Sequence, residues 1–219
     1  VAGSHKLKAP APVNTDARFT ALGIGDWYTC GLSKTGDAYC WGVGYQSGTG
    51  RTGELSSPTV VAGGHVFDAL WADGNTCARD TTGVIRCWGQ NSLSQLEGPD
   101  EQVMTPIALS AEKQLAVISP GPVTTCGLDR AGAAWCWGSD EHGNLGDGPG
   151  ASDTCTETHG IPCSGQPRQV AGGLTFQSIS TSRTATCGVT TDSALYCWGS
   201  NRFGQLGDGS LVSHSEVPV

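Results

Sequence analysis

The sequence predicts an all-β chain built from four-stranded units, and three observations carry that prediction. Composition is the first: 219 residues hold 33 glycines, 10 cysteines and 7 tryptophans, and only 15% are charged. A chain this rich in Gly, Thr and Ser does not sustain a helical bundle or coiled coil. The second is local: β-type runs of about five residues are broken by Gly, Pro, Asp and Ser clusters. The third is repetition: four segments each carry Thr-Cys, a short polar stretch and then Cys-Trp-Gly. Four short strands at a period near 48 residues fit the blade of a β-propeller.

The repeat sets the elements in order. Pro10, Pro58 and Pro106 recur every 48 residues, and Pro167 follows 61 later. An apolar residue lies three after each proline: Val13, Val61, Leu109 and Val170. Proline is tolerated at a first or edge position of a strand, so this run is expected to open each unit. Phe19, Phe67, Leu115 and Phe176, followed three residues on by Leu22, Leu70, Ile118 and Ile179, lead into a second strand. The third and fourth strands are 29–32 with 38–42, 76–79 with 85–89, 125–128 with 134–138, and 186–189 with 195–199. The polar stretch between them reads as a hairpin turn, with Gly36, Gly83 and Gly132 at one position. The expected organisation is a tail over 1–9, repeats over 10–57, 58–105, 106–166 and 167–215, and a first strand of a fifth repeat over 216–219. The third repeat carries an insertion at about 149–166. No secretory signal pattern occurs over 1–9, so a mature or trimmed chain is expected.

The cysteines agree with the hairpin. Each pair is spaced C-x9-C: Cys30 and Cys40, Cys77 and Cys87, Cys126 and Cys136, Cys187 and Cys197. In a hairpin centred on the intervening turn, the two cysteines of a pair lie directly opposite. Such a position brings Cβ atoms to roughly 4.5–5.5 Å, and modest twist closes the remaining gap to the ~3.8 Å of a disulfide. A zinc site does not fit, since neither C-x2-C nor paired His occurs at ligand spacing. Cys155 and Cys163 would staple the insertion. Ten paired cysteines imply an oxidising compartment, and the chain is expected to be extracellular, secreted or on a cell surface.

The run Cys187-Gly188-Val189, Tyr196-Cys197-Trp198-Gly199-Ser200-Asn201, Gly204-Gln205-Leu206-Gly207-Asp208-Gly209 resembles the regulator-of-chromosome-condensation repeat. The likeness covers about 10–219, and the paired-cysteine form resembles copies in secreted bacterial proteins. The resemblance implies a propeller of four-stranded blades used mainly for binding proteins, in a ring of about seven. Repeat one departs from the pattern, with Gly48-Thr49-Gly50 where the others carry Gln95-Leu96, Asn144-Leu145-Gly146 and Gln205-Leu206-Gly207.

Candidate chemistry is sparse. Gly48-x-Gly50-x-x-Gly53 matches a dinucleotide fingerprint only formally, without the strand–helix context or the downstream acid. No nucleophile elbow, H-E-x-x-H or P-loop occurs. Asp147-Gly148 and Asp208-Gly209 read as turn formers, not calcium ligands. The isolated His65, His142, His159 and His214 have no paired acid or nucleophile nearby in sequence. Trp41, Trp88, Trp137 and Trp198 recur once per repeat and read as packing residues. No catalytic residue, metal or cofactor is expected. A net charge of −8 without a Lys/Arg cluster argues against nucleic acid, and no apolar run approaches the ~20 residues of a membrane span.

What differs between repeats is the candidate binding surface. The fifth and sixth residues after each second cysteine are Tyr45 and Gln46, Ser92 and Leu93, Glu141 and His142, Arg202 and Phe203. Differing side chains on a shared rigid frame make specific surfaces. The function expected is a disulfide-stapled extracellular scaffold that binds a protein partner through blade-edge loops. The alternatives are head-to-tail assembly by donating strand 216–219 to a second copy, and a hydrolase.

Overall fold

In the computed structural model the described residues are 10–98, 100–110, 114–150, 153–154 and 160–219. They form four antiparallel sheets in chain order, the blades of a β-propeller. Blade one contains β1 (Phe19–Ile24), β2 (Tyr28–Ser33), β3 (Ala38–Gly42) and β4 (Leu55–Val60). Blade two contains β5 (Phe67–Ala72), β6 (Thr76–Asp80), β7 (Ile85–Gln90) and β8 (Gln102–Ala108). Blade three contains β9 (Leu115–Pro120), β10 (Thr124–Asp129), β11 (Ala134–Ser139), the short β12 (Asp153–Thr154) and β13 (Pro162–Gln169). Blade four contains β14 (Phe176–Thr181), β15 (Ala185–Thr190), β16 (Leu195–Ser200) and β17 (His214–Ser215).

The hairpin of each blade places its cysteines face to face. Cys30 pairs with Cys40, Cys77 with Cys87, Cys126 with Cys136 and Cys187 with Cys197 in register. All four are disulfides, each with a Cα–Cα distance of 4.1 Å. Cys163 is also disulfide-bonded and buried, while Cys155 lies outside the described residues. The turn that closes the hairpin is held by its first residue. Asp80 Oδ1 accepts from the amides of Thr82 and Val84, both at 3.0 Å, and Asp129 Oδ1 accepts from Ala131 and Ala133 at 2.9 and 3.0 Å. Ser33 and Thr190 use their hydroxyls for the same purpose. The next-to-last turn position lies in the left-handed region in every blade. It is Gly36, Gly83 and Gly132 at φ 87, 90 and 84°, but Ser193 at φ 71° in blade four.

Two expectations on boundaries are corrected. The proline run closes the preceding blade and does not open its own. Pro58 lies in β4, where Thr59 and Val60 pair with Cys40 and Tyr39; Pro106 and Pro167 occupy the same place in β8 and β13. Proline carries no amide hydrogen, so it suits the outermost strand, whose far edge has no ladder to supply. The repeat period therefore holds, but the blades are offset from 10–57 and its successors. The second correction concerns 216–219. Val219 exchanges both backbone hydrogen bonds with Cys197, each 3.0 Å, so this segment completes blade four within its own chain. It is not the start of a fifth unit, and no donated strand is left for the assembly first considered.

Packing runs between blades. Trp88, Trp137 and Trp198 are fully buried, as are the disulfides of blades one to three. Within its own blade each of two tryptophans meets the first-strand phenylalanine: Phe67 stacks at a tilt on Trp88, with ring centroids 6.1 Å apart, and Phe176 on Trp198 at 5.9 Å. The amides of Phe67 and Phe176 each donate to a turn glycine of the preceding blade, Gly36 O and Gly132 O, at 2.8 Å.

Candidate functional site

Strand direction decides which loops share a surface. The loops joining the first strand of a blade to the second, and the third to the fourth, emerge at the same end. Backbone bonds tie them together: Val43 to Trp27, Ser139 to Val123 and Ser200 to Thr184. One face of the propeller therefore collects every variable segment read from the sequence, including the described part of the insertion. The opposite face carries the short hairpin turns and the links between blades.

The outer ring of this face holds the residues expected from the spacing, with one exception. Glu141, Arg202 and Phe203 are exposed, and Tyr45, Ser92, Leu93 and His142 are half-buried. Arg202 lies over the Phe203 ring at 5.8 Å. Gln46 is 8% exposed and does not belong to the surface. Its loop is two residues shorter than the others, so counting from Cys40 selects the wrong position. Gln46 matches buried Gln95 and Asn144, and Gly48 matches Gly146. Gly48 O accepts from Ala62 N at 3.0 Å as Gly146 O does from Ala171 N at 2.8 Å. A Cβ on either glycine would sit 2.7 Å from the tryptophan of the next blade, Trp88 or Trp198. Both glycines have positive φ, 70 and 69°. The apparent departure of repeat one is thus a shortened loop around the same packing device, and Gly48 of Gly48-x-Gly50-x-x-Gly53 is its packing glycine.

These loops are built rather than loose. Asn91 Nδ2 donates to the carbonyls of Glu97, Gly98 and Asp100, at 3.1, 3.2 and 2.9 Å, and its Oδ1 accepts from Leu96 N. Asn201 is the counterpart in blade four, accepting from Leu206 N and donating to Asp208 and Ser210. Asp208 thus serves a turn, as read. Asp147 is different: its Oδ2 is buried without a hydrogen-bond partner. Burial pushes its carboxyl up, with Asp140 and Glu216 adding to the effect. Among the described residues no group of three His, Cys, Asp or Glu side chains gathers as a metal site. His214 lies 3.5 Å from Glu216, and His65 packs near Phe67; His159 lies outside the described residues.

The sequence reading missed an inner ring. Asp26 and Trp27, Asp73, Pro122 and Arg183 stand at the loops between first and second strands, around the mouth of a shaft lined by the four innermost strands. Leu22, Leu70, Ile118 and Ile179 contribute to its wall. Trp27 is exposed, and Arg183 of blade four reaches Asp26 of blade one at 4.0 Å across the mouth. Asp73 is partly withdrawn from solvent. That burial, then the nearby Asp26 charge, hold its carboxyl above the usual range. Tyr28 beneath them accepts from Thr76 Oγ1 at 3.0 Å, and burial raises its phenol well above the ordinary value. The signal was available: residues 25–27, 73–75, 121–123 and 182–184 differ in each repeat as much as the outer loops do.

Fold and site together define a β-propeller repeat scaffold that displays differing loops from one face of a frame repeated from blade to blade. The last blade carries the regulator of chromosome condensation (RCC1) repeat, and the chain is similar to proteins built from it. Two models of the Regulator of chromosome condensation (RCC1) repeat match residues 176–205 and 192–219. The ultraviolet-B receptor UVR8 of Arabidopsis thaliana is 26% identical over 220 residues, covering 94% of this chain and 48% of the receptor. The human E3 ubiquitin-protein ligase HERC2 is 27% identical over 202 residues, 86% of this chain but 4% of the ligase. Among solved structures, yeast RCC1 (Prp20) bound to Kap60 superposes with a TM-score of 0.84 at 19% identity, over 95% of this chain and 49% of that one. Human WBSCR16 gives 0.79 at 22%, over 94% and 53%. The chain spans about half the length of UVR8 and of these propellers.

Proposed function

We propose that this protein is an extracellular scaffold that binds a protein partner through the loop face, and that it performs no catalysis. One observation carries the reading: among the described residues, every segment that varies between repeats, outer loops, inner loops and the described part of the insertion alike, projects from the same face. A stapled, glycine-punctuated frame under variable loops is how propellers make specific surfaces. The disulfides support an oxidising compartment. The yeast relative was solved bound to Kap60, and its binding to Gsp1p and histones is described, so a neighbour of this fold binds proteins.

The chemistry of the face favours a basic partner. Asp26, Asp73, Asp100, Glu101, Asp140, Glu141, Asp208 and Glu216 lie on it against Arg51, Arg183 and Arg202. Such a surface steers a cationic protein, with binding that weakens as salt rises. The test places a photo-crosslinking amino acid at Trp27 or Arg202, on the loop face, or at Lys34, on the opposite face. The oxidised protein is then exposed to the secreted fraction of its source cells. Crosslinks from Trp27 and Arg202 but not Lys34 are expected. Crosslinks confined to Lys34, or equal from both faces, would refute the assignment.

A further inference from the structure

One side chain organises the loop after Cys-Trp-Gly in blades two, three and four, and its chemistry differs in blade three. Asn91, Asp140 and Asn201 are equivalent. Their backbone amides donate to Glu101 O, Pro162 O and Ser213 O, each at 2.7 Å. Their side-chain Oδ1 atoms accept from the amides of Leu96, Leu145 and Leu206 at 2.7, 3.0 and 3.1 Å. The other side-chain atom is where they part. Asn91 Nδ2 donates to three loop carbonyls, and Asn201 Nδ2 lies 3.4 Å from Asp208 Oδ1 and 3.3 Å from Ser210 Oγ. Asp140 sets an oxygen in place of that nitrogen, and an ionised carboxylate has no hydrogen to give.

Asp147 stands in this loop where blade four has Asp208 and blade two has Gly98. It is half-buried, and its Oδ2 is withdrawn from solvent without a hydrogen-bond partner. Where Asn201 turns an amide toward Asp208, blade three therefore turns one carboxyl group toward another. Among the described residues the charged groups acting on Asp147 are Asp140 of the same loop, Arg168 of β13 and Glu216 beyond β17. His214 of β17 stands 3.5 Å from Glu216. Burial and the Asp140 charge outweigh Arg168 and hold the Asp147 carboxyl above its ordinary range. The loop also meets blade four here, since Gly148 N donates to Glu216 O at 3.0 Å.

We propose that Asp140 and Asp147 form a proton-held latch on the blade-three loop, closed while the two carboxyl groups share one proton and loosened when both ionise. The proton supplies the hydrogen that Asn91 and Asn201 supply from their amides. It belongs to the pair, because two carboxyl groups at one site resist ionising together. The sign follows from the raised carboxyl. Such a group contributes stability below its unfolded pKa and loses it as pH rises through the higher folded value. The loop is thus closed onto blade four in acidic surroundings and looser in neutral ones, while the matching loops of blades two and four, built on asparagine, do not respond.

The test is amide hydrogen exchange on the oxidised full chain, read as protection factors so that the intrinsic effect of pH on exchange cancels. Between about pH 4 and about pH 8 the protection of Leu145 and Gly148 should fall about tenfold, the worth of one hydrogen bond. Leu96 and Leu206, whose acceptors are Asn91 and Asn201, should hold theirs. Asp140→Asn and Asp147→Asn should each remove the fall, and either one serves if the other does not fold. His214→Gln should leave the fall in place, which separates the latch from the His214–Glu216 pair. Constant protection of Leu145 in the unmodified chain overturns the proposal. So does a fall that persists in a folded carboxyl variant, or one that His214→Gln abolishes. Protection restored at about pH 8 by calcium chloride overturns it too, because a cation and not a proton would then join the two carboxyl groups.

Discussion

Removing the staple of blade two, by Cys77→Ala with Cys87→Ala, should cost about 4 kcal/mol of stability. The disulfide joins residues 10 apart in sequence and so closes a loop of about 11 residues. Loop-closure entropy for that length is roughly 9 cal/mol/K, or about 2.8 kcal/mol at 25 °C, acting through the unfolded chain. Both cysteines are fully buried, so the missing sulfurs leave a small void that adds on the order of 1 kcal/mol. Equilibrium urea unfolding, followed by the emission of the buried tryptophans, measures the difference. With a slope of about 2 kcal/mol/M the midpoint should fall by more than 1 M. A loss under about 1 kcal/mol would refute the reasoning, because it would mean that the hairpin is as restrained without the covalent link as with it. The matching pair Cys187→Ala with Cys197→Ala closes a loop of the same length and should lose the same entropic share.

Four further outcomes follow from local geometry. Gly146→Ala should destabilise by about 2–4 kcal/mol, combining positive-φ strain with the close approach to Trp198. Gly209→Ala, also at positive φ but with nothing within 4 Å, should cost about 1–2 kcal/mol, both variants being compared by the same urea unfolding. Ser193→Gly should stabilise blade four by up to about 1 kcal/mol, relief of left-handed strain outweighing the added chain entropy; a lower melting temperature would contradict it. Asp80→Asn should change the acid limb of stability. Burial alone would raise the Asp80 carboxyl, but hydrogen bonds from Thr82 and Val84 and the Arg86 guanidinium hold it below its ordinary value. A depressed carboxylate contributes stability above its unfolded pKa near 3.9, and loses it as pH falls through the lower folded value. The gap between wild type and variant should therefore shrink below pH ~4, and a constant gap would exclude the carboxylate as its source.

How far the sequence reached depends on the range of the interaction. Spacing alone placed the hairpins and their disulfides, because two residues equidistant from one turn are opposite whatever surrounds them. It also placed the recurring tryptophans inside, since a large apolar side chain repeated in register has only neighbouring repeats to bury against. A periodic pattern has no origin, however, so it could not say whether Pro58 opens one blade or closes the one before. That was decided by the β3–β4 pairing and by proline's missing amide hydrogen. Counting from Cys40 likewise failed at Gln46, because a shortened loop shifts register and only the contact of Gly48 with Trp88 reveals the shift. The gathering of Asp26, Trp27, Asp73 and Arg183 around one shaft belongs to tertiary structure alone. They are separated by a blade or more in sequence, and strand direction, which no local motif encodes, sends them to the same end. Sequence determined the blade; the packing of blade on blade determined the face.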